Sequence, residues 1–261
     1  MLHFLKNLLN FLLTLCKIKK REKILTPSKD LSEEKRETPI PEKKNLKHIW
    51  CNGEQVVIDW SKVITHREDA KWRLPEKCMR MRKDARDDDI DKFVVHWDGC
   101  LSAKMCHQVL ENRGLSVHFC IDNDGTIIQL MDTNNIAWHA RGVNTKSIGV
   151  EVSNAVYTKY ANKYNPPRPV WENVECHGKN IGPILGFTDE QVKALKVLTK
   201  TICERYKIPL QVPLNEKGEL IKGVAKSWKT FKGVMAHYHL NKGKTDPAGL
   251  DLKEVVKDET E

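Results

Sequence analysis

Phe93-Val-Val-His96 closes an apolar run that predicts a buried strand, and Phe231-Lys-Gly-Val-Met-Ala236 predicts a second strand that ends directly before a histidine. From His237 the chain continues Tyr-His-Leu-Asn-Lys-Gly-Lys-Thr and reaches Asp246. Two histidines and one carboxylate from separate elements form a three-ligand site for a divalent metal with one position left open, which is typical of catalytic zinc. The sequence therefore predicts a zinc hydrolase with ligands His96, His237 and Asp246.

Strands and helices alternate between these two segments, which indicates a layered α/β domain. Ser102 is a candidate N-cap for a helix that runs to Arg113, and Gly114 is a candidate stop. Thr188 and Gln191 form a capping box ahead of a second helix with a regular apolar face. Further strands are predicted at Ser116–Ile121, Thr126–Met131 and Ser147–Ser153.

The bulk composition is compatible with one catalytic domain and an N-terminal extension. The chain has 261 residues, 40% of them hydrophobic, which is enough for a sizeable core. The formal charge of +9 favours an anionic partner such as nucleic acid, a membrane surface or a cell-wall polymer, and charge alone does not choose among them.

The eight cysteines include no Cys-x-x-Cys pair, which argues against a zinc ribbon or a thioredoxin-like redox motif. Most of them are expected to be small buried hydrophobic residues. Cys100 and Cys106 are close enough in sequence to form a disulfide if the protein is exported, and two free thiols are an equally good expectation.

The N-terminal region divides into two segments of different character. Residues 1–17 are mostly apolar with one polar stripe, which predicts a hydrophobic or amphipathic helix in the membrane interface, a cleaved signal peptide, or a helix docked on the domain. Residues 18–46 are rich in Lys, Glu and Pro and predict a charged, disordered linker. Membrane contact through residues 1–21 is one expectation, since the basic cluster at 17–21 suits anionic headgroups; a solubilising run of charges is the alternative for this cluster.

Residues 47–90 are predicted to form an accessory β-hairpin extension packed on the catalytic domain of residues 91–257. The hairpin signal is an Asn52-Gly53 turn between two apolar runs. Charged residues dominate from Lys62 to Asp91, and no chemistry is expected from this segment.

Six motifs follow one another over residues 91–255. They are Phe93-Val-Val-His96-Trp, Ser116-Val-His118-Phe, Asn123-Asp-Gly125-Thr-Ile-Ile-Gln129, Ala137-Trp138-His139-Ala140, Ser147-Ile-Gly-Val-Glu151, and His237 through Lys244-Thr-Asp246-Pro-Ala-Gly249. In this order they resemble the zinc N-acetylmuramoyl-L-alanine amidases, the family of phage amidase lysozymes, bacterial muropeptide amidases and animal peptidoglycan recognition proteins. The resemblance implies a central, mainly mixed β-sheet flanked by helices.

The resemblance also implies a role for each ligand candidate. His96 corresponds to the first zinc ligand, His237 to the second, and Asp246 to the third, a position held by Asp or Cys among relatives. His239 is the local competitor of His237, because two positions along a strand return to the same face.

The catalytic groups are implied in the same way. Glu151 corresponds to the catalytic glutamate of muropeptide-cleaving relatives. Other members carry a Tyr directly before the histidine that corresponds to His118, where this chain has Val117. This difference leaves Glu151 as the candidate base. Lys244 resembles the lysine that stabilises the tetrahedral oxyanion.

Four residues are candidates for contact with substrate. His139 resembles a histidine on the substrate side of the cleft, and Trp138 offers a flat wall for a sugar or stem peptide. A core tryptophan beside a hydrogen-bonded histidine is the alternative for this pair. Arg141 and Asn144 are expected to meet the carboxylates of the peptide.

Together these residues predict an N-acetylmuramoyl-L-alanine amidase that cleaves the lactyl–L-alanine amide of peptidoglycan through a zinc-activated water. The alternatives are a non-catalytic peptidoglycan-binding recognition module and an intracellular amidase that recycles muropeptides. The expected partner is peptidoglycan or its muropeptides, not nucleic acid, and a monomer is expected. The expected location is the membrane or the cell envelope after export, with a phage-encoded enzyme acting on a host wall as one possibility.

Overall fold

The computed structural model describes residues 46–82 and 89–257. The helix predicted for residues 1–17, the membrane contact through residues 1–21 and, apart from Leu46, the linker of residues 18–46 lie outside the described residues. Within the two described ranges, none of the helices is both long and apolar enough to span a bilayer.

The described residues form short strands and three α-helices around one main sheet. The strands are β1 Lys47–Cys51, β2 Glu54–Ile58, β3 Val63–Thr65, β4 Met79–Met81, β5 Lys92–Trp97, β6 Phe119–Ile121, β7 Ile127–Gln129, β8 Asn135–Ala137, β9 Ser147–Val152, β10 Val170–Trp171, β11 Glu175–Cys176, β12 Lys179–Asn180, β13 Ile184–Leu185 and β14 Gly233–Ala236. The helices are α1 Ala103–Arg113, α2 Asp189–Tyr206 and α3 Leu252–Val256.

The main sheet has six strands in the order β14-β5-β9-β6-β7-β3. Strands β14, β5, β9 and β6 are parallel to one another, β7 is antiparallel to β6, and β3 adds in parallel to β7. The predicted fold class, an α/β domain with a mixed central sheet and flanking helices, is confirmed. The sheet brings β14 and β5 side by side although they are far apart in sequence.

Side chains alternate between the two faces of each strand, and the two faces have different surroundings. Phe93 and Val95 point to one face, where they share a core cluster with Leu195 and Leu198 of α2. Val94 belongs to a separate cluster on the opposite face. The face opposite α2 is therefore the one that also receives His96, two positions beyond Val94.

The helix ends lie where the local signals predicted them. Ser102 caps α1 by accepting a hydrogen bond from the backbone N–H of Met105, and Gly114 ends the helix in the left-handed region with φ 62°. Thr188 and Gln191 form the capping box of α2. Both predictions are confirmed, because each depends only on contacts between neighbours in sequence.

Residues 47–82 contribute more than a hairpin. β1 and β2 pair antiparallel around Asn52-Gly53, while β3 becomes the edge strand of the main sheet. The segment predicted as an accessory extension thus also supplies part of the sheet that carries the site.

The cysteines of the described ranges are all buried free thiols. Cys100 and Cys106 are not bridged, and the Sγ atom of Cys106 lies 3.8 Å from that of Cys120. Burial raises the pKa of the Cys100 thiol to about 12, which keeps it protonated and unreactive at neutral pH.

Candidate active site

The predicted metal ligands converge at one end of the main sheet. His96 lies near the end of β5, and His237 follows β14 directly, in a short 3₁₀ turn over His237–His239. Because β14 and β5 are adjacent and parallel, their carboxyl ends meet at the same edge. The loop after the 3₁₀ turn brings in Asp246, whose backbone carbonyl accepts a hydrogen bond from the N–H of Tyr238 at 3.1 Å.

The three ligand atoms face one another. The Nδ1 atoms of His96 and His237 are 2.9 Å apart, and each is 2.9 Å from Oδ2 of Asp246. In a tetrahedral zinc site with bonds of about 2.0 to 2.2 Å, neighbouring ligand atoms are about 3.3 to 3.6 Å apart. A spreading of a few tenths of an ångström would admit the ion, so these residues fit zinc.

The protonation states expected from burial also suit a cation. Burial and the neighbouring His237 lower the pKa of His96 to about 4, so its imidazole is neutral at pH 7. Burial alone would raise the pKa of Asp246, but hydrogen bonds with His237 and His96 outweigh it and hold that pKa below its usual range. A neutral imidazole and an ionised carboxylate are the forms in which these residues bind metal.

Glu151 lies next to His96, since the two residues are paired in the register of β9 and β5. Its Oε2 atom is shielded from solvent and has no hydrogen-bond partner within the described part of the chain. Burial, followed by the charges of Asp246 and Asp98, raises the pKa of Glu151 well above its usual value. A shielded carboxyl group with a raised pKa is suited to take up and release a proton during catalysis.

These groups open into a cleft of about 280 Å³. Its walls include the ligands, Glu151, Lys244, Trp138 and His139. Lys244 is exposed to solvent. Its positive charge contributes to lowering the pKa values of both His96 and Glu151. Two larger grooves lie elsewhere on the surface, but among the described residues the only cluster able to hold a metal is His96, His237 and Asp246.

His139 and Trp138 lie in the cleft, but both ring nitrogens of His139 have hydrogen-bond partners within the protein. Its Nδ1 lies 3.0 Å from Nε2 of His96, and its Nε2 lies 3.0 Å from Oγ of Ser147. Trp138 is half-buried, and the guanidinium of Arg80 lies 5.8 Å from its ring centroid. Trp138 is thus the member of this pair whose ring is available to a ligand.

The other two predicted substrate contacts lie apart from the cleft lining. Asn144 uses its side-chain oxygen to accept hydrogen bonds from the backbone N–H groups of His139 and Ala140, at 3.3 and 2.7 Å. Arg141 is exposed in the same turn and does not line the cleft. Asn144 therefore shapes the loop that carries His139.

His239, the local competitor of His237, has partners for both ring nitrogens. Its Nδ1 accepts a hydrogen bond from the backbone N–H of Ala236 at 3.0 Å, and its Nε2 donates one to the carbonyl of Ile221 at 2.7 Å. The structure leaves neither nitrogen of His239 for a metal.

Asp98 also lines the cleft, although its sequence context did not predict a role in the site. It accepts hydrogen bonds from the backbone N–H groups of Cys100 and Asn154 and from the hydroxyl of Ser153. Burial raises its pKa to about 7, and its charge contributes to the raised pKa of Glu151. The available signal was a lone carboxylate directly after an apolar strand, in Trp97-Asp98-Gly99.

The buried residue His118 is expected to make the stability of the fold depend on pH. Its Nδ1 accepts from the N–H of Gly149 and its Nε2 donates to the carbonyl of Asn135. Burial lowers its pKa from 6.5 to about 3, so between these values the unfolded chain binds a proton that the folded protein does not. The stability that this group contributes is therefore complete above pH 6.5 and is lost as the pH falls.

We expect His118→Gln to flatten the pH dependence of stability. Between pH 7.5 and 5 the free energy of unfolding should fall by about 2 kcal/mol less in the variant than in the unchanged protein. Urea unfolding at the two pH values measures this difference. Equal losses in both proteins would show that His118 does not remain neutral in the fold.

An α/β sheet that ends in two buried histidines and a carboxylate, beside a shielded glutamate, has the arrangement typical of metal-dependent hydrolases. Residues 86–249 match the family described as N-acetylmuramoyl-L-alanine amidase. The chain belongs to this family, and the predicted function as a peptidoglycan amidase is confirmed at this level. No curated protein sequence matches the chain significantly.

Solved structures of similar fold include amidases, endolysins and a recognition protein. The N-acetylmuramoyl-L-alanine amidase LysCS from Clostridium intestinale URNW is 17% identical, with 72% of this chain and 87% of that chain covered and a TM-score of 0.42. The Ph2119 endolysin of a Thermus scotoductus bacteriophage is 14% identical, with 74% and 96% covered and a TM-score of 0.43. A Drosophila PGRP-LB mutant in complex with tracheal cytotoxin is 16% identical, with 74% and 92% covered and a TM-score of 0.41.

Proposed function

We propose that this amidase hydrolyses the amide between the lactyl group of N-acetylmuramic acid and L-alanine, using zinc held by His96, His237 and Asp246. The observation that carries the proposal is the convergence of three ligand atoms at 2.9 Å from one another. Glu151 is paired with His96 in the register of β9 and β5 and lines the same cleft, and its shielded Oε2 has no hydrogen-bond partner in the described ranges.

The residues of the chain divide the reaction between them. Zinc, when bound, polarises the amide carbonyl and lowers the pKa of water toward neutrality. Glu151 accepts the proton of the attacking water at Oε2 and returns it to the leaving amide nitrogen, which its raised pKa allows. Lys244 directs its positive charge at the oxyanion that develops on the carbonyl, an interaction that is strongest in the transition state.

We further propose that Trp138 forms a flat wall against the sugar or the stem peptide. Trp138 lines the same cleft as Glu151.

We also propose that the enzyme acts in the cell envelope. Peptidoglycan lies outside the cytoplasmic membrane, and the apolar sequence of residues 1–17 is compatible with export or with a membrane anchor.

Removal of the metal tests the proposal directly. Protein treated with a chelator and dialysed should release no stem peptides from intact sacculi or from soluble muropeptides, and added zinc should restore the release. Mass spectrometry of the products identifies the bond that is cut. Cleavage at a glycosidic bond, or full activity of protein shown to be zinc-free by elemental analysis, would contradict the proposed reaction.

Lys244→Met is expected to reduce kcat by about 10² to 10³-fold, the usual effect of losing one oxyanion donor. KM should change little, because the charge acts mainly on the transition state. Steady-state kinetics on a soluble muropeptide separate the two constants. Lys242→Met in the same loop is the matched control, since Lys242 does not line the cleft; a rise in KM with kcat unchanged would assign Lys244 to substrate binding instead.

A further inference from the structure

A continuous chain of hydrogen bonds runs from the backbone to the metal ligand His96. The hydroxyl of Ser147 donates to the carbonyl of Val143 at 2.9 Å. The same Oγ lies 3.0 Å from Nε2 of His139, and Nδ1 of His139 lies 3.0 Å from Nε2 of His96. The opposite nitrogen of His96, Nδ1, faces His237 and Asp246.

The first member of this chain determines where every proton lies. A carbonyl oxygen can only accept, so the single hydrogen of the Ser147 hydroxyl is used on Val143. The Ser147 oxygen must then accept a proton from Nε2 of His139. A neutral His139 protonated at Nε2 has a bare Nδ1, which accepts the proton on Nε2 of His96. His96 is left with an unprotonated Nδ1, the form that binds metal.

The reverse order of protons would prevent metal binding. If Ser147 donated to His139 instead, Nδ1 of His139 would carry a proton and Nε2 of His96 would have to accept it. The proton of His96 would then lie on Nδ1, where it would face the other two ligands. The backbone carbonyl of Val143 thus selects the tautomer that the metal site requires.

Strand β9 leaves room for these hydrogen bonds on the face that also carries Glu151. Ser147, Gly149 and Glu151 are separated by two positions each, so they share one face of the strand. A Cβ atom at position 149 would lie 2.5 Å from Nδ1 of His139 and 2.7 Å from its Cε1. Only glycine at this position leaves room for the imidazole ring between Ser147 and His96.

We propose that His139 is a positioning residue which, held by Ser147, fixes the tautomer and orientation of His96 for zinc. This inference rests on the zinc site of the proposed function. It assigns to His139 a role inside the protein, in place of the contact with substrate that the sequence suggested. Outer-shell partners of this kind change metal affinity by about 10 to 100-fold.

Zinc affinity, measured by competition with a chromophoric chelator, tests the proposal on the full chain. His139→Leu should weaken zinc binding at least tenfold, because no acceptor remains for Nε2–H of His96. His139→Gln keeps an acceptor oxygen and should recover most of the affinity. Gly149→Ala should weaken zinc binding as His139→Leu does, since its methyl group displaces the ring.

The matched control is His118→Gln. His118 is a second buried histidine, with its ring centroid 6.1 Å from that of His139, and both of its nitrogens are bound to backbone groups rather than to a ligand. Its replacement should weaken zinc binding by much less than the loss of about 10 to 100-fold that an outer-shell partner causes, because neither of its ring nitrogens contacts a candidate metal ligand. A loss equal to that of His139→Leu would overturn the proposal.

Ser147→Ala covers the case in which a change at 139 prevents folding. It removes one oxygen atom and leaves both rings in place, and it should weaken zinc binding several-fold. In the zinc-loaded, ¹⁵N-histidine-labelled protein, His139 should show a protonated Nε2 and a bare Nδ1. A protonated Nδ1 on His139 would overturn the proposal.

The outcomes separate this inference from the proposed function. If the unchanged protein binds no zinc, the zinc-dependent reaction itself is removed. Suppose instead that the unchanged protein binds zinc and cleaves peptidoglycan. If His139→Leu and Ser147→Ala then bind zinc as tightly as the unchanged protein does, the positioning role alone is overturned. Equal losses in His139→Leu and His139→Gln would show that the ring only packs against His96, which also overturns it.

Discussion

Glu151→Gln is expected to reduce kcat by about 10³-fold, within the range that a positioned general base contributes. The amide has nearly the same shape as the carboxyl group but cannot take the proton of the attacking water. Zinc content should be unchanged, because Glu151 is not among the three clustered ligand residues. Single-turnover kinetics on a soluble muropeptide and elemental analysis of the same sample measure both quantities.

The same change should not destabilise the fold at pH 7.5. The pKa of Glu151 is raised above its unfolded value of 4.5, first of all by burial. Its contribution to stability is therefore complete below pH 4.5 and is lost as the pH rises toward the folded pKa. At neutral pH a neutral glutamine removes this penalty, so the free energy of unfolding should be equal or higher in the variant.

Glu204→Gln is the matched control for Glu151→Gln. Glu204 is an exposed carboxylate near the end of α2, so its replacement should leave both turnover and stability unchanged within about 0.5 kcal/mol. If Glu151→Gln retained the turnover of this control, Glu151 would not be the base. Loss of zinc from Glu151→Gln would instead assign it to the metal site.

Asp246→Asn is expected to have the largest effect on the metal. It removes the only ionised ligand of the cluster and leaves the Nδ1 atoms of His96 and His237 facing a neutral group. Zinc affinity should fall by more than about 100-fold, the upper end of the loss that an outer-shell partner causes. Activity should be undetectable at zinc concentrations that saturate the unchanged protein.

Asp251→Asn provides the comparison in the same part of the chain. Asp251 is exposed and caps α3 through the backbone N–H of Lys253, and asparagine is an equally good N-cap. Zinc binding and turnover should therefore be retained. If Asp246→Asn bound zinc as tightly as Asp251→Asn, Asp246 would be excluded as a ligand.

Much of this architecture could be predicted from local signals. The bounds of α1 and α2 follow from caps and stops that lie within a few residues of each helix end. The placement of His96 and His237 at strand ends follows from the apolar runs before them. Strand bounds were less accurate: the predicted run Ser116–Ile121 is a strand only over Phe119–Ile121, because sheet pairing, rather than the apolar pattern, decides which residues are in register.

The roles of His139 and Asn144 could not be derived in this way. Both were candidates for contact with substrate: His139 from its position in the Ala137-Trp138-His139-Ala140 motif, with a hydrogen-bonded core histidine as the alternative, and Asn144 as a polar residue that follows this motif. In the structure Asn144 holds the backbone of the His139 loop, and His139 bridges Ser147 and His96. Which partner a polar side chain finds depends on the elements packed around it, and the sequence near it does not contain those elements.

The sequence by itself determined which residues are candidate metal ligands and which strands carry His96 and His237. It also determined that Glu151 shares one strand face with Ser147 and Gly149, because strand alternation is a local property. Only the tertiary structure decided that His96 and His237, 141 positions apart, lie within 2.9 Å of each other. The physical reason is that parallel pairing of β5 with β14 is non-local: it depends on which strands become neighbours in the sheet and in which register they pair.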